Sequence, residues 1–160
     1  MDPIPKIQER FADQVVGTGE HARQKWIEVK RDRVVDILRF VRDECGFDML
    51  TDLTCVDHLN QGTPERFAIV YNLYSLKDNE RARLKAWVPE ADPTIETASS
   101  VWKAAPWAER EVYDLFGIVF KNHPDLKRIL LPADYVGHPL RKDYPLTGRG
   151  ERMAFPRYAP

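Results

Sequence analysis

The chain has 160 residues, a mass of 18.6 kDa and a net charge of −1, with 31% charged and 43% apolar residues. That is about one domain's worth of chain, able to bury roughly two-thirds of the surface it exposes when unfolded. The balance excludes wholesale disorder and polyanion binding through bulk charge.

The longest stretch free of Asp, Glu, Lys and Arg is the ten residues from Phe67 to Leu76. A membrane-spanning helix needs about 20 apolar residues. The opening Met1-Asp2-Pro3-Ile4-Pro5-Lys6 has neither the pattern of a signal peptide nor that of a transit peptide, so the expectation is a chain that stays where it is made. Two cysteines, Cys45 and Cys55, are too few for a disulfide scaffold or a four-Cys iron–sulfur cluster, and Cys55-Val56-Asp57-His58 has metal spacing but lacks the second ligand pair nearby that a structural zinc site takes. They read as reduced, partly buried thiols.

Ile4, Ile7, Phe11 and Val15 recur at helical spacing and predict a short helix ending near Gly17. Lys25 to Lys30 reads as a strand around Trp26, Ile27 and Val29. Asp32 can cap a second helix that carries Val34, Val35, Ile37, Leu38, Val41 and Cys45, with Gly46 as its stop. Three strands follow. The first runs from Asp48 to Asp57. The second holds Phe67, Ile69, Tyr71 and Leu73 and is apolar on nearly both faces, which suits a central position. The third alternates Arg81, Arg83, Lys85 and Trp87 with Ala82, Leu84, Ala86 and Val88, which suits a half-exposed or edge strand. Their short connections predict antiparallel pairing. Asp92-Pro93 reads as a helix start, with Ile95, Ala98, Val101 and Trp102 as its apolar stripe. After Pro106 a further helix runs from Trp107 to Phe116, closed by Gly117. The sum is an α+β body over residues 1–120, a small antiparallel-rich sheet packed with helices.

Charge then changes. Residues 1–120 hold 16 Lys and Arg against 21 Asp and Glu, whereas residues 121–160 hold 8 against 4, and the last 29 residues include five of the twelve prolines. This predicts an extended, basic, proline-rich C-terminal tail over 121–160. Tyr135, Tyr144, Phe155 and Tyr158 alternate there with Arg141, Lys142, Arg149, Arg152 and Arg157. Aromatic and Arg residues are favoured interface anchors, and proline lowers the entropy cost of docking. A strap over a protein surface fits better than a single-stranded nucleic-acid binder, because +4 over 40 residues is weak for the latter.

Catalytic signatures are thin. Gly17-Thr18-Gly19-Glu20-His21-Ala22 matches a loose dinucleotide pattern, but the predicted helix precedes it and a strand follows, the reverse of what such a loop needs. Glu109, Glu111 and Asp114 lie near His123. Positions i and i+2 of a helix diverge by about 200°, so Glu109 and Glu111 cannot share a ligand. A stand-alone enzyme using Glu111, Asp114 and His123 remains a weaker reading than a salt-bridged helix face, with Arg110 and Asp114 as an i,i+4 pair.

The run Glu109-Arg110-Glu111-Val112-Tyr113-Asp114-Leu115-Phe116-Gly117-Ile118, continued by Phe120 and His123-Pro124-Asp125-Leu126-Lys127-Arg128-Ile129-Leu130, resembles a known family. It is that of the 30-kilodalton, or C-type, subunit of respiratory complex I, the proton-translocating NADH:quinone oxidoreductase. Gly137-His138-Pro139-Leu140-Arg141-Lys142-Asp143-Tyr144-Pro145-Leu146 matches the same family, as do Trp107, Asp52 to Asp57 and Tyr71-Asn72-Leu73. Asn122 and Lys127 depart from its usual Gly and Arg. The resemblance covers about residues 30 to 150.

The resemblance implies a non-catalytic subunit of the peripheral arm on the cytoplasmic face of the membrane. It implies no cofactor on this chain, with FMN, iron–sulfur clusters and quinone in partner subunits. The expected partners are the D-type protein at the quinone site and the cluster-bearing B-type protein. Trp107, Glu109, Arg110, Glu111, Asp114, His123, Arg128, His138, Arg141, Lys142, Asp143 and Tyr144 are the expected interface residues. Related subunits of energy-converting hydrogenases, or of complexes with another electron donor, are the alternative.

Overall fold

The structure, a computed structural model, describes residues 2–22 and 24–150. Ten elements follow in order: α1 (Ile4–Arg10), β1 (Val15–His21), β2 (Gln24–Lys30), α2 (Val34–Asp43), β3 (Met49–Asp57), β4 (Phe67–Ser75), β5 (Glu80–Val88), β6 (Thr94–Glu96), α3 (Ala105–Phe116) and β7 (Val119–Lys121). Five strands form one mixed sheet in the order β1-β2-β5-β4-β3, and β6 pairs with β7 in a second, two-stranded sheet. The class is α+β.

Strand β4 occupies an interior position because both of its faces are apolar: Phe67 through Tyr71 are all buried. Of the two positions expected for β5, half-exposed or edge, the structure shows the first. The strand lies inside the sheet, antiparallel to β4 and parallel to β2, with Ile27 opposite Leu84 and Val29 opposite Ala86. Its charged alternate face is wet because that side of the sheet carries no helix, a feature one strand's pattern cannot distinguish from an edge. Within this sheet the β2–β5 pairing is the exception to antiparallel neighbours, and β6 and β7 also pair in parallel.

One sheet face builds the core. Ile27, Val29, Leu53, Cys55, Phe67, Ile69, Tyr71, Leu84 and Ala86 pack there against Ile37, Leu38 and Val41 of α2 and Val112 and Phe116 of α3. Each such large side chain contributes about 1.5–3 kcal/mol when fully buried. Phe11 and Phe40 meet edge to face, with centroids 5.6 Å apart, and anchor α1 to α2.

Three local expectations are corrected. The first helix ends at Arg10, and Val15 opens β1, so Gly17-Thr18-Gly19 is a strand and not a phosphate loop. Gly19 serves packing, since a Cβ there would lie 2.2 Å from Trp26, whose ring rests on it. Arg33, rather than Asp32, precedes α2 and gives no side-chain cap. No helix starts at Asp92. Arg31 donates to the Asp92 carboxylate at 2.6 Å and to the Thr94 carbonyl at 2.8 Å, and residues 94–96 pair with β7. Ile95, Ala98, Val101 and Trp102 are buried all the same. Their spacing reports burial, and tertiary pairing overrides the helical reading. Pro106 starts α3 in its first turn rather than interrupting a helix, and Gly117 closes it at φ 75°.

Replacing Gly19 with Ala should drive the Trp26 indole off β1. A net loss of about 1–3 kcal/mol is expected, read by urea denaturation together with a change in tryptophan emission.

Candidate functional site

The segment after β7 is not a loose tail in its described part. It folds back over α3 and the ends of β3 and β4, and two buried carboxylates hold it. Arg152, Phe155, Arg157 and Tyr158 lie outside the described residues.

The first is Asp114, fully buried on α3. One carboxylate oxygen accepts the Arg128 guanidinium at 2.6 Å. The other accepts three consecutive backbone N–H groups, from Ile129, Leu130 and Leu131, at 3.0, 2.8 and 2.9 Å. The Asp114 carbonyl accepts from Arg128 at 3.1 Å and from His138 Nδ1 at 3.0 Å. Arg128 also donates to the Gly137 carbonyl. Burial alone would raise the Asp114 pKa. The Leu131 amide, Arg128 and the Leu130 and Ile129 amides outweigh it and hold the value below 3.8. The expected Arg110–Asp114 pair is replaced, because Asp114 points inward and Arg110 outward. Arg110 donates to the Lys127 and Arg128 carbonyls at 3.1 and 3.0 Å and lies over the Trp107 ring.

The second is Asp57 at the end of β3. It accepts both arms of Arg66, at 3.0 and 2.8 Å, and the backbone N–H groups of Leu59 and Lys142, at 3.0 and 2.9 Å. Arg66, itself buried, also pairs with Asp143 at 2.7 Å and with Glu90. Desolvation again opposes ionisation of Asp57, and Arg66 with the Lys142 and Leu59 amides overrides it, lowering the pKa. Between the two carboxylates, Arg141 Nε donates to the Phe116 carbonyl at 2.6 Å, and its guanidinium lies 5.2 Å over the Phe67 ring. Leu140 N donates to Leu115 O, and the Tyr135 and Tyr144 hydroxyls meet at 2.7 Å. Gly117 permits this closeness: a Cβ there would sit 2.5 Å from His138 Nε2 and 2.8 Å from Arg141 Nη2.

Glu109 belongs to a separate buried group. Thr97 Oγ1 lies 2.5 Å from one of its oxygens, and the Ala98 amide donates to the other at 2.6 Å. His123 Nε2 is 3.8 Å away, but it donates to the Pro106 carbonyl, while Nδ1 accepts from Asp125 N. Burial dominates here and raises the Glu109 pKa against the Thr97, Ala98 and His123 contributions. Glu109 and His123 therefore position α3 and the turn at Pro124 from within. Glu111 is exposed on the opposite side of α3, so Glu111, Asp114 and His123 do not converge as an acid/base site.

Beyond the Glu109–His123 group, and Arg110 and Tyr144 with the contacts given above, the expected site residues divide into two sets. Asp114, Arg128, His138, Arg141 and Asp143 fasten the returning segment to its own body, with the backbone of Lys142. Trp107, Glu111 and the Lys142 side chain face outward. Asp57, Arg66 and Glu90 escaped sequence reasoning, because nothing local marks a partner 85 residues away. The fastened segment turns Ile129, Leu130, Val136, Leu140 and Leu146 to the surface, alongside Trp107, which is 64% exposed. A cleft of about 890 Å³ lies elsewhere and is lined by residues such as Lys25, Asp52, Asn72 and Arg83. Among the described residues no three His, Cys, Asp or Glu side chains are grouped as metal ligands, and no helix is long and apolar enough to cross a membrane.

These features define a small α+β assembly component whose C-terminal signature fastens an otherwise extended segment. Residues 27–150 match the family model described as respiratory-chain NADH dehydrogenase, 30 Kd subunit. The chain belongs to that family. It is 52% identical over 145 residues to the C-type subunit of the NADH-quinone oxidoreductase of Geobacter sulfurreducens, covering 91% of this chain and 89% of that one. It is 47% identical over 128 residues to subunit 5 of the Thermus thermophilus enzyme, covering 76% of this chain and 61% of that one. Among solved structures, a trypsin-resistant fragment of Nqo5 superposes with a TM-score of 0.70 at 36% identity, over 79% of this chain and all of the fragment. The membrane-bound sulfane sulfur reductase, an archaeal respiratory membrane complex, gives 0.72 at 25% identity over 89% of this chain and 84% of its own. The fold and family thus identify a 30-kilodalton-type subunit of an NADH-quinone oxidoreductase.

Replacing Asp114 with Asn should cost about 3–5 kcal/mol, the range for breaking a buried charge pair, with faster amide exchange at Ile129 to Leu131. Because Asp57 and Asp114 titrate below their unfolded values, their contribution is complete above about pH 4. It fades as pH falls through the depressed folded values, so acid titration followed by amide exchange should release residues 128–143 first. Glu109 has the opposite sign. Its raised folded pKa makes its ionisation destabilising as pH rises, so Glu109→Gln should melt at or above the parent temperature at about pH 8, with the difference vanishing near about pH 4.

Proposed function

We propose that this chain is a docking bracket of the peripheral arm, joining the D-type, quinone-site protein to the B-type, cluster-bearing protein. In this reading it holds no redox group itself. FMN, iron–sulfur clusters and quinone belong to its partners, and the assembly sits on the cytoplasmic face of the membrane.

The observation that carries the reading is the set of exposed apolar residues Leu130, Val136, Leu140 and Leu146 on a segment held by buried charge pairs, with Trp107 exposed on α3. Scattered exposed apolar residues need no explanation, whereas a row of them on one immobilised segment marks an interaction surface. Fixing the segment before docking reduces the ordering cost of association. Trp107 with the stacked Arg110 has the composition of an interfacial anchor. Relatives named NADH-quinone oxidoreductase, at 52% and 51% identity, favour this assembly over a related complex with another electron donor.

Replacing Leu130 and Leu146 with Asp tests it in the native membranes. Co-purification of the quinone-site and cluster-bearing subunits should fall at least about tenfold, and NADH:quinone activity with it. The isolated variant should melt within a few degrees of the parent, because both side chains are exposed. Undiminished co-purification would overturn the bracket.

A further inference from the structure

The sheet has a second face that the core does not use. Ala68, Val70 and Trp87 are buried there yet stand apart from the main apolar cluster. Around them, β2, β4 and β5 present Trp26, Glu28, Asn72, Arg83 and Lys85, with Arg81 beyond.

These side chains hold one another in place. Both Trp26 and Trp87 donate their indole N–H to the Glu28 carboxylate, at 2.8 and 3.2 Å. Lys85 Nζ lies 3.6 Å from the same carboxylate and 4.3 Å from the centre of the Trp26 ring. Arg83 donates to Asn72 at 2.9 Å and to Gln24 at 3.0 Å, both neutral amides. The face is therefore preformed, with an aromatic platform beside a row of cations. Glu28, its central carboxylate, is already engaged. Among the described residues neither Arg81 nor Arg83 has a carboxylate within ion-pairing distance.

We propose that this open sheet face is a second docking surface, separate from the C-terminal row, whose occupant is an acidic amphipathic helix of another protein of the assembly. Charge complementarity selects the sign: Arg81, Arg83 and Lys85 outnumber Glu28 and Asp52 on this face, Asp52 reaches Arg83 only through Asn72, which donates to it at 3.3 Å, and a partner carboxylate costs the arginines little further desolvation at a half-exposed site. Spacing selects the form. Arg81, Arg83 and Lys85 repeat every two strand residues, about 6.8 Å, while carboxylates at i and i+4 of a helix repeat about every 6 Å. Trp26, half-buried and already hydrogen-bonded at its N–H, offers an apolar ring to the same helix. A chain with both surfaces would hold two neighbours on opposite sides of one rigid sheet. The inference rests on membership of a multi-subunit assembly, but not on the C-terminal row.

The test uses the intact membrane complex. Arg81→Lys and Arg83→Lys variants supply amines for zero-length carbodiimide coupling, and mass spectrometry reads the joined peptides. The expected product links this face to an Asp- or Glu-rich segment of a neighbouring protein. The double variant Arg81→Glu/Arg83→Glu should then lose that neighbour at least about tenfold in co-purification, while the isolated chain still folds cooperatively with parental circular dichroism. Couplings confined to this chain, coupling to a second copy of it, or binding of the parent but not the double variant to anionic lipid vesicles with no coupled neighbour would each overturn the proposal. So would full retention of every partner by the double variant. Failure of the parent chain to co-purify with any partner would instead overturn the docking bracket itself.

Discussion

A single buried carboxylate organises the C-terminal third of this protein. Asp114 sits where α3 faces the returning chain and accepts four donors there, three of them successive backbone amides. An ionised carboxylate is costly to bury, and that cost is offset only while residues 128–131 stay in place. Helix position and segment position therefore depend on each other. Asp57 repeats the device at the far end, where Arg66 and the Lys142 amide close the loop onto the sheet. Gly117 between them is the spatial condition for both, since it lets His138 and Arg141 reach the end of α3.

This arrangement gives the family signature a physical meaning. A row of charged and aromatic residues near the C-terminus reads as a set of partner contacts. Most of those charges instead bind the chain to itself and leave apolar side chains outside. Polar groups fix the geometry, and Leu130, Val136, Leu140 and Leu146 are what a neighbour would meet. Such a division suits an assembly component. Directional hydrogen bonds specify position, whereas non-directional apolar burial supplies association energy.

The sequence revealed the α+β class, the central place of β4, the extent of β3, β4 and β5, and α3 with its Gly117 stop. Each is written in local terms: alternation, helical periodicity and a residue tolerant of φ 75°. It also singled out Asp114, Arg128, His138 and Arg141 as one group through motif resemblance. It misread the segment after Asp92, where buried residues at spacings of three and four belong to a short strand and a turn. For β5 it left half-exposed and edge positions open, and the wet face proves to be an uncovered side of the sheet.

By itself, then, the chain determined which residues would be buried, which elements would form and which family the motifs belong to, because these depend on side-chain chemistry over a few neighbours. Only the tertiary structure decided that β2 runs parallel to β5, that Asp57 meets Arg66 and the Lys142 amide while Arg66 also holds Asp143, and that Asp114 holds Arg128 rather than Arg110. Those outcomes depend on which surfaces meet after the chain has turned back on itself, and no local pattern encodes a partner 85 residues away.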